Sequence, residues 1–534
     1  MQFPYDPPFP ALKGANAHSF AHVTLRDRLP VILTQTIDAL CRFIHHASMS
    51  DSALDDTLME DEPLLHRIRT TLTLEQRNAL DKQGKNIIAA LSRLRYELQC
   101  NKPMRALTSD EQLPAALLQH SLLQHQPDTQ DVSDEDVMRL DMEYWNRMIA
   151  RFDGEGRGTW FDASWLFIEC YLYRRVMAAF ASADAGVSED DKQATENVLK
   201  STWWSWCAHY DAFGEQKRKS FFQSLSLILD GYMQLDAIVT DQQTDTESAF
   251  QHFLQNALWG NQVDLSMNAG RTESDIHSNM HTDRRHASTH YMLANDSQTV
   301  WQYFQILKQR QPESDRILDI VLDNAGAELA MDLCFADWVL QAGFFDRVRF
   351  HMKVFPWFVS DVTARDMHWM LNEAMAHLMK QGGTEKQPAL TRIQQRWSEY
   401  QRSSQWTFHT QVYWNWGCSY WHMCEDMSAS AWSCMQQSAL VLFKGDLNYR
   451  KLIYDCAYPY PYDTPFAEAI GPCLRTLPVV TLRTCKADVV AGLSRDIAPR
   501  LDKNVGVNHE AQGWLVTGKY ALLQAHLAEE EREA

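Results

Sequence analysis

Beyond residue 300 the chain repeats one arrangement four times: a short apolar run ends abruptly in charged or amide side chains, and a helical pattern follows. The runs are Ile317–Leu322, Val348–Phe355, Ser438–Phe443 and Leu477–Leu482. Runs of this length, rich in branched residues, fit strands buried on both faces. Strands alternating with amphipathic helices build a parallel sheet, because each helical crossover returns the next strand in the same direction. The expected fold is therefore α/β, a three-layer α/β/α arrangement around a mostly parallel sheet. Its strand ends meet along one edge, where open α/β sheets bind ligands.

The residues at those ends set the chemistry. Asp323 and Asn324 follow the first run, Asp361 follows the second after Pro356–Ser360, Lys444 follows the third, and Arg483 and Lys486 follow the fourth. Taken alone, Asp323 and Asn324 fit helix caps as well as they fit ligands. The repetition at successive ends favours a site. Asp323, Asn324 and Asp361 offer hard oxygen donors for a divalent ion. Lys444, with Arg483 or Lys486, offers cationic donors for phosphate oxygens, and Gly445 allows close backbone approach. A carboxylate-held metal facing a basic rim performs phosphoryl transfer. A haloacid-dehalogenase-type phosphatase also places an Asp after its first strand, but it needs a second Asp two residues on as general acid. Ala325 occupies that position, so a metal-activated water is preferred to an aspartyl-phosphate, with Asp323 as nucleophile left open.

The rest of the chain reads as a mainly helical amino-terminal domain, 1–245, ahead of an α/β domain, 246–534. Leu29, Ile32, Leu33, Ile37, Leu40 and Ile44 recur at helical spacing, and similar patterns continue to Phe152. Residues 160–175 form a dense aromatic helix bearing Glu169, Arg174 and Arg175. Buried Glu–Arg packing is the expected role, and an arginine facing phosphate is the alternative. Gly154, Gly156 and Gly158 have no strand before them and read as a turn. After Gly260, Asn261 and Asp264 fall in a loop. The polar insertion 268–290 carries His277, His281, His286 and His290, expected to be solvated. Residues 381–404 read as a polar connection, 406–432 as aromatic core packing, and 513–518 as a last run closing the sheet before a short helix.

Bulk properties narrow the partners. With 50 Lys and Arg against 69 Asp and Glu, the net charge of −19 opposes non-specific binding to nucleic acid or an anionic membrane. Eleven cysteines without a C-x-x-C pair oppose a disulfide framework or a zinc ribbon. No charge-free apolar run approaches about 18 residues. A cytoplasmic protein is expected, with a nuclear location compatible.

Five segments in order carry a family resemblance: 258–266, Asp323–Leu329, Phe355–Asp361, Phe443–Arg450 and Arg483–Lys486. With Trp165–Arg175 and Arg26–Leu33, they resemble the damage-control phosphatase family, in its branch with the Arg-Thr-x-Lys motif. That resemblance implies a divalent ion (Mn²⁺, Co²⁺, Ni²⁺ or Mg²⁺) at Asp323, Asn324 and Asp361, and catalytic roles for Asp323, Asp361 and Lys444. It implies substrate contacts at Asn261, Glu328, Lys444, Asp446, Asn448, Arg483 and Lys486. The implied reaction is hydrolysis of phosphometabolites such as fructose 1-phosphate and fructose 6-phosphate. The branch also includes a protein-glutamate O-methyltransferase activity using S-adenosylmethionine, but no glycine-rich loop after a strand is present here to seat that cofactor. A metal-binding interaction module is the non-enzymatic alternative, and the intact Asp323, Asn324, Asp361 and Lys444 argue against it.

Overall fold

The computed structural model describes residues 8–49, 63–118, 133–185, 199, 202–241, 245–260, 291–309, 314–424, 429–458, 464–497, 501 and 514–527. Asn261, Asp264 and the histidines of 268–290 lie outside them.

A seven-stranded sheet organises the molecule: β1 (Met292–Asn295), β2 (Ile317–Val321), β3 (Arg347–Met352), β4 (Trp406–Thr410), β5 (Leu440–Lys444), β6 (Val479–Thr484) and β7 (Ala521–His526). Their spatial order is β1-β7-β6-β5-β2-β3-β4. β6, β5, β2, β3 and β4 run parallel, whereas β7 is antiparallel to β6. This is the mostly parallel α/β sheet that the strand–helix rhythm implies. The chain leaves β2 toward β3 and β4, then returns to lay β5 on the other side of β2. Strand order therefore reverses between β2 and β5, and a crevice opens at their carboxyl ends.

Strand parity decides which side chains meet there, since alternate residues face opposite sides of a sheet. Leu318, Ile320, Leu440 and Leu442 join one apolar cluster, packed by the helices Thr246–Trp259 and Ala327–Gln341. Val321, Val441 and Phe443 join the other, packed by the amino-terminal helices, among them Trp165–Ala185. That helix is buried along almost its whole length, which explains its dense aromatic composition. Its Arg174 pairs with Asp141 at 2.8 Å and its Arg175 with Glu111 at 2.8 Å, so both arginines are packing residues.

Several expectations are corrected. Residues 383–402 are a helix, not a polar connection. Its buried Leu390, Ile393, Trp397 and Tyr400 make a narrow stripe within a charged segment, too thin to register against the polar majority. Trp406–Thr410 is the edge strand β4. The chain's last strand is Ala521–His526, where a short helix was expected, and it lies between β1 and β6 rather than closing the sheet; of the run 513–518, residues 514–518 are described and turn, with Gly518 at φ +71°. Gly156 (φ +68°) likewise turns the chain after the helix Asp134–Gly154, as its setting implied. One disulfide, Cys424–Cys473, joins residues 49 apart in sequence; the other nine cysteines are free. Among the described residues no helix is long and apolar enough to cross a membrane.

Candidate active site

Beyond their last paired residues, β2 and β3 are tied together again by backbone. The Ala325 N–H donates to Ser360 O at 2.8 Å and the Val362 N–H to Asp323 O at 2.8 Å, and Asn324 faces Asp361 across one antiparallel bridge. This brings Asp323, Asn324 and Asp361 together, at 5%, 6% and 2% exposure. The capping alternative fails: Gly326 (φ +80°) is the N-cap of the helix Ala327–Gln341, and no side chain caps it. Asn324 Nδ2 instead donates to Asp323 Oδ2 at 2.6 Å and to Glu328 Oε2 at 2.9 Å, while the Ser360 hydroxyl donates to Asn324 Oδ1.

Two further features hold this corner. Phe358 (φ +43°) and Val359 (φ +70°) occupy left-handed backbone just ahead of Ser360 and Asp361. For a β-branched residue this conformation is strained, on the order of 1–3 kcal/mol, and such strain collects at functional sites. Gly445 (φ +85°) lies directly against Asp323, where a Cβ would sit 1.8 Å from Asp323 Oδ2. The glycine read as a phosphate approach is therefore also a close approach for the carboxylate.

The cations divide into two groups. Lys444 follows Leu442 in parity and so points to the side away from Val321 and Phe443. There it is fully buried, donating to Asp332 Oδ1 at 2.6 Å, Ala257 O at 2.7 Å and Glu328 Oε1 at 2.9 Å. An ammonium has three donors, and all are engaged. Burial alone pulls its pKa down, but Asp332 and Glu328 outweigh that and hold it above the usual lysine range. Arg483 is equally enclosed, donating to Asp446 Oδ1 at 2.8 Å, Ala487 O at 2.9 Å and Val489 O at 2.6 Å. Asn448 donates to Lys444 O at 2.7 Å and accepts from the Tyr420 hydroxyl at 2.5 Å, latching β5 to its neighbours. Lys486, Asp446, Asp323, Asn324 and Asp361 all line one cleft of about 460 Å³. Lys444, Arg483, Asn448 and Glu328 stand behind it.

The opposite wall comes from the amino-terminal region through Arg28, Trp165 and Glu169, with Arg450 from the helix after β5. Arg450 lies 3.7 Å from the Trp165 ring centroid and donates to Glu169 Oε2 at 2.5 Å and to Asp455 at 2.8 and 2.9 Å. Glu169 is thus in the Glu–Arg packing expected of it, with Arg450 as partner. Its place on the cleft was missed, because the sequence gives no register between that helix and the sheet. Lys353, with Nζ 3.3 Å from Asp361 Oδ2, was missed too. It alternates with Arg349 and His351 along the same run, so nothing in the sequence sets it apart.

The damage-control phosphatase ARMT1-like domain family matches residues 24–499. Damage-control phosphatase ARMT1 of Danio rerio is 31% identical over 513 residues, spanning 95% of this chain and 94% of that protein. The Rattus norvegicus protein of the same name is 30% identical, spanning 96% and 97%, and the Homo sapiens one 28%, spanning 96% and 98%. Among solved structures, a DUF89 family protein from Pyrococcus horikoshii aligns at 12% identity and a TM-score of 0.30, covering 73% of this chain and 97% of that one.

Proposed function

The chain belongs to the ARMT1-like damage-control phosphatase family, and we propose that it hydrolyses phosphomonoesters of small metabolites, fructose 1-phosphate and fructose 6-phosphate being the first substrates to try. The observation that carries this reading is the backbone pairing of two strand ends, which gathers Asp323, Asn324 and Asp361 at the foot of one cleft. Two carboxylates and an amide oxygen suit Mn²⁺, Co²⁺, Ni²⁺ or Mg²⁺. The charges around them support an ion there. Asp323, Asp361 and Asp446 match Arg28, Arg450 and Lys486 along the cleft, so a phosphate dianion needs further positive charge to enter. When bound, a divalent ion supplies that charge and acidifies water.

The chain's own residues take the remaining roles. Lys486 is the cation assigned to phosphate oxygens, and its backbone N–H donates to Asp446 Oδ1 at 2.9 Å, the atom Arg483 also holds. Lys444 is assigned a positioning role, because it reaches Asn324 only through Glu328. Asn261 is kept as a substrate contact; the preceding Gly260 packs so closely that a Cβ there would lie 3.0 Å from Glu328 Cα.

The test is a phosphate-release screen over sugar phosphates and other phosphometabolites, with each metal, with EDTA, and beside a methyl-transfer control. Metal-dependent release abolished by EDTA is expected. Release indifferent to chelation overturns the metal assignment, and methyl transfer without phosphate release overturns the reaction class.

A further inference from the structure

Hydrolysis of an alkyl phosphate needs a proton for the departing alkoxide, and the haloacid-dehalogenase position for such an acid is Ala325 here. Resting on the phosphatase reading above, we propose that Glu169 is the general acid that protonates the leaving oxygen of the sugar. Two other carboxylates on the cleft, Asp323 and Asp361, are assigned to the metal. A third, Asp446, already accepts hydrogen bonds from the Arg483 guanidinium and the Lys486 N–H on its Oδ1.

Glu169 differs from all three. It lines the cleft from the wall opposite the strand ends. Only Oε2 is engaged, by a single N–H of Arg450; among the described residues Oε1 accepts no hydrogen bond. Arg450 gives its other two contacts to Asp455 as a bidentate pair, so one guanidinium is shared by two carboxylates and its charge is matched mainly by Asp455. Burial, followed by the opposing pulls of Arg450 and Arg28 and the push of Asp455, leaves Glu169 above the usual carboxyl range. A cleft carboxyl with one oxygen unengaged and its pKa raised by burial suits proton donation to a leaving group, whereas Asp446 Oδ1 already accepts from Arg483 and Lys486.

The step balances. The oxygen of water bonds to phosphorus, the P–O(C) bond breaks, and its electron pair goes to the sugar oxygen, which takes the proton from Glu169 Oε1. The carboxylate left behind regains a proton released from the attacking water, through solvent in the cleft. The products are the free sugar and phosphate.

The experiment compares a sugar phosphate with 4-nitrophenyl phosphate, whose leaving group needs no proton, in saturating Mn²⁺. For Glu169→Gln, kcat on the sugar phosphate should fall about 10²–10³-fold while the aryl ester changes little; retained aryl turnover shows that the variant is folded. In the unaltered protein, kcat for the sugar phosphate should decline at alkaline pH, with no matching decline for the aryl ester. Asp455→Asn, which gives Arg450 wholly to Glu169, should move that decline to lower pH. Equal losses on both esters in Glu169→Gln, full retention on the sugar phosphate, or the same alkaline decline for both esters in the unaltered protein each overturn the assignment. Failure of the phosphatase reading looks different: the unaltered protein then releases phosphate from neither ester.

Discussion

The two walls of the cleft are built in different ways. The sheet edge places Asp323, Asn324 and Asp361 by backbone hydrogen bonds between neighbouring strand ends. The helical wall places Trp165, Glu169 and Arg28 by side-chain packing between segments more than a hundred residues apart. On the first wall, position follows from local sequence and strand direction. On the second, it follows from how whole helices settle against the sheet. The sheet edge should therefore respond to mutation through chemistry and local geometry, and the helical wall more gradually.

The largest expected effect comes from Asp323→Ala. Losing one of three oxygen donors together with its charge should cut metal-dependent turnover by about 10³-fold or more, measured as phosphate release at saturating metal. Turnover within tenfold of the unaltered protein removes Asp323 from the site. Gly445→Ala should come next. A Cβ 1.8 Å from Asp323 Oδ2, at a φ of +85°, forces the carboxylate to move. A stability loss of about 1–3 kcal/mol should accompany a clear drop in kcat. Normal kcat with normal stability shows that the corner can yield.

The two lysines sharpen the contrast within the sheet edge itself. Lys444→Met strands the buried Glu328 and Asp332 carboxylates and should cost about 3–5 kcal/mol in denaturant unfolding. Lys486→Ala removes a group that lines the cleft and should leave unfolding nearly unchanged while kcat/KM falls, about 10²-fold by analogy with loss of one transition-state donor. If Lys444→Met unfolds normally but loses turnover, Lys444 is a direct phosphate contact and the division of roles is reversed.

These cases also mark how far the sequence was legible. The strand ends were readable because short apolar runs separated by helical crossovers declare parallel strands. Asp323, Asn324 and Asp361 then fall on one edge. The strand–helix rhythm was readable for the same reason. Lys444 and Lys486 looked equivalent because both follow strands, although counting parity from Leu442 already sends Lys444 to the opposite face. Glu169, Arg450 and Lys353 had no comparable signal: each is a charge within a buried segment, and only tertiary packing decides which charge reaches the cleft. The helix 383–402 and the strand β4 were missed because a thin apolar stripe and a cluster of aromatics resemble a loop and a core.

Trp165→Phe should produce the smallest effect and tests the helical wall most directly. The indole covers Arg450 at 3.7 Å, while its Nε1 is buried without a hydrogen-bond partner among the described residues. Phenylalanine keeps an aromatic face, with a weaker cation–π contact, and removes an unsatisfied donor. These changes oppose one another, so stability should move by less than about 1 kcal/mol, and kcat/KM on a sugar phosphate by less than about fivefold. Trp165→Ala removes the platform altogether and should cost about 3–5 kcal/mol, because Trp165 is 1% exposed. If Trp165→Phe is as damaging as Trp165→Ala, the indole N–H engages substrate or an ordered water, and the helical wall contributes a specific polar contact as the sheet edge does.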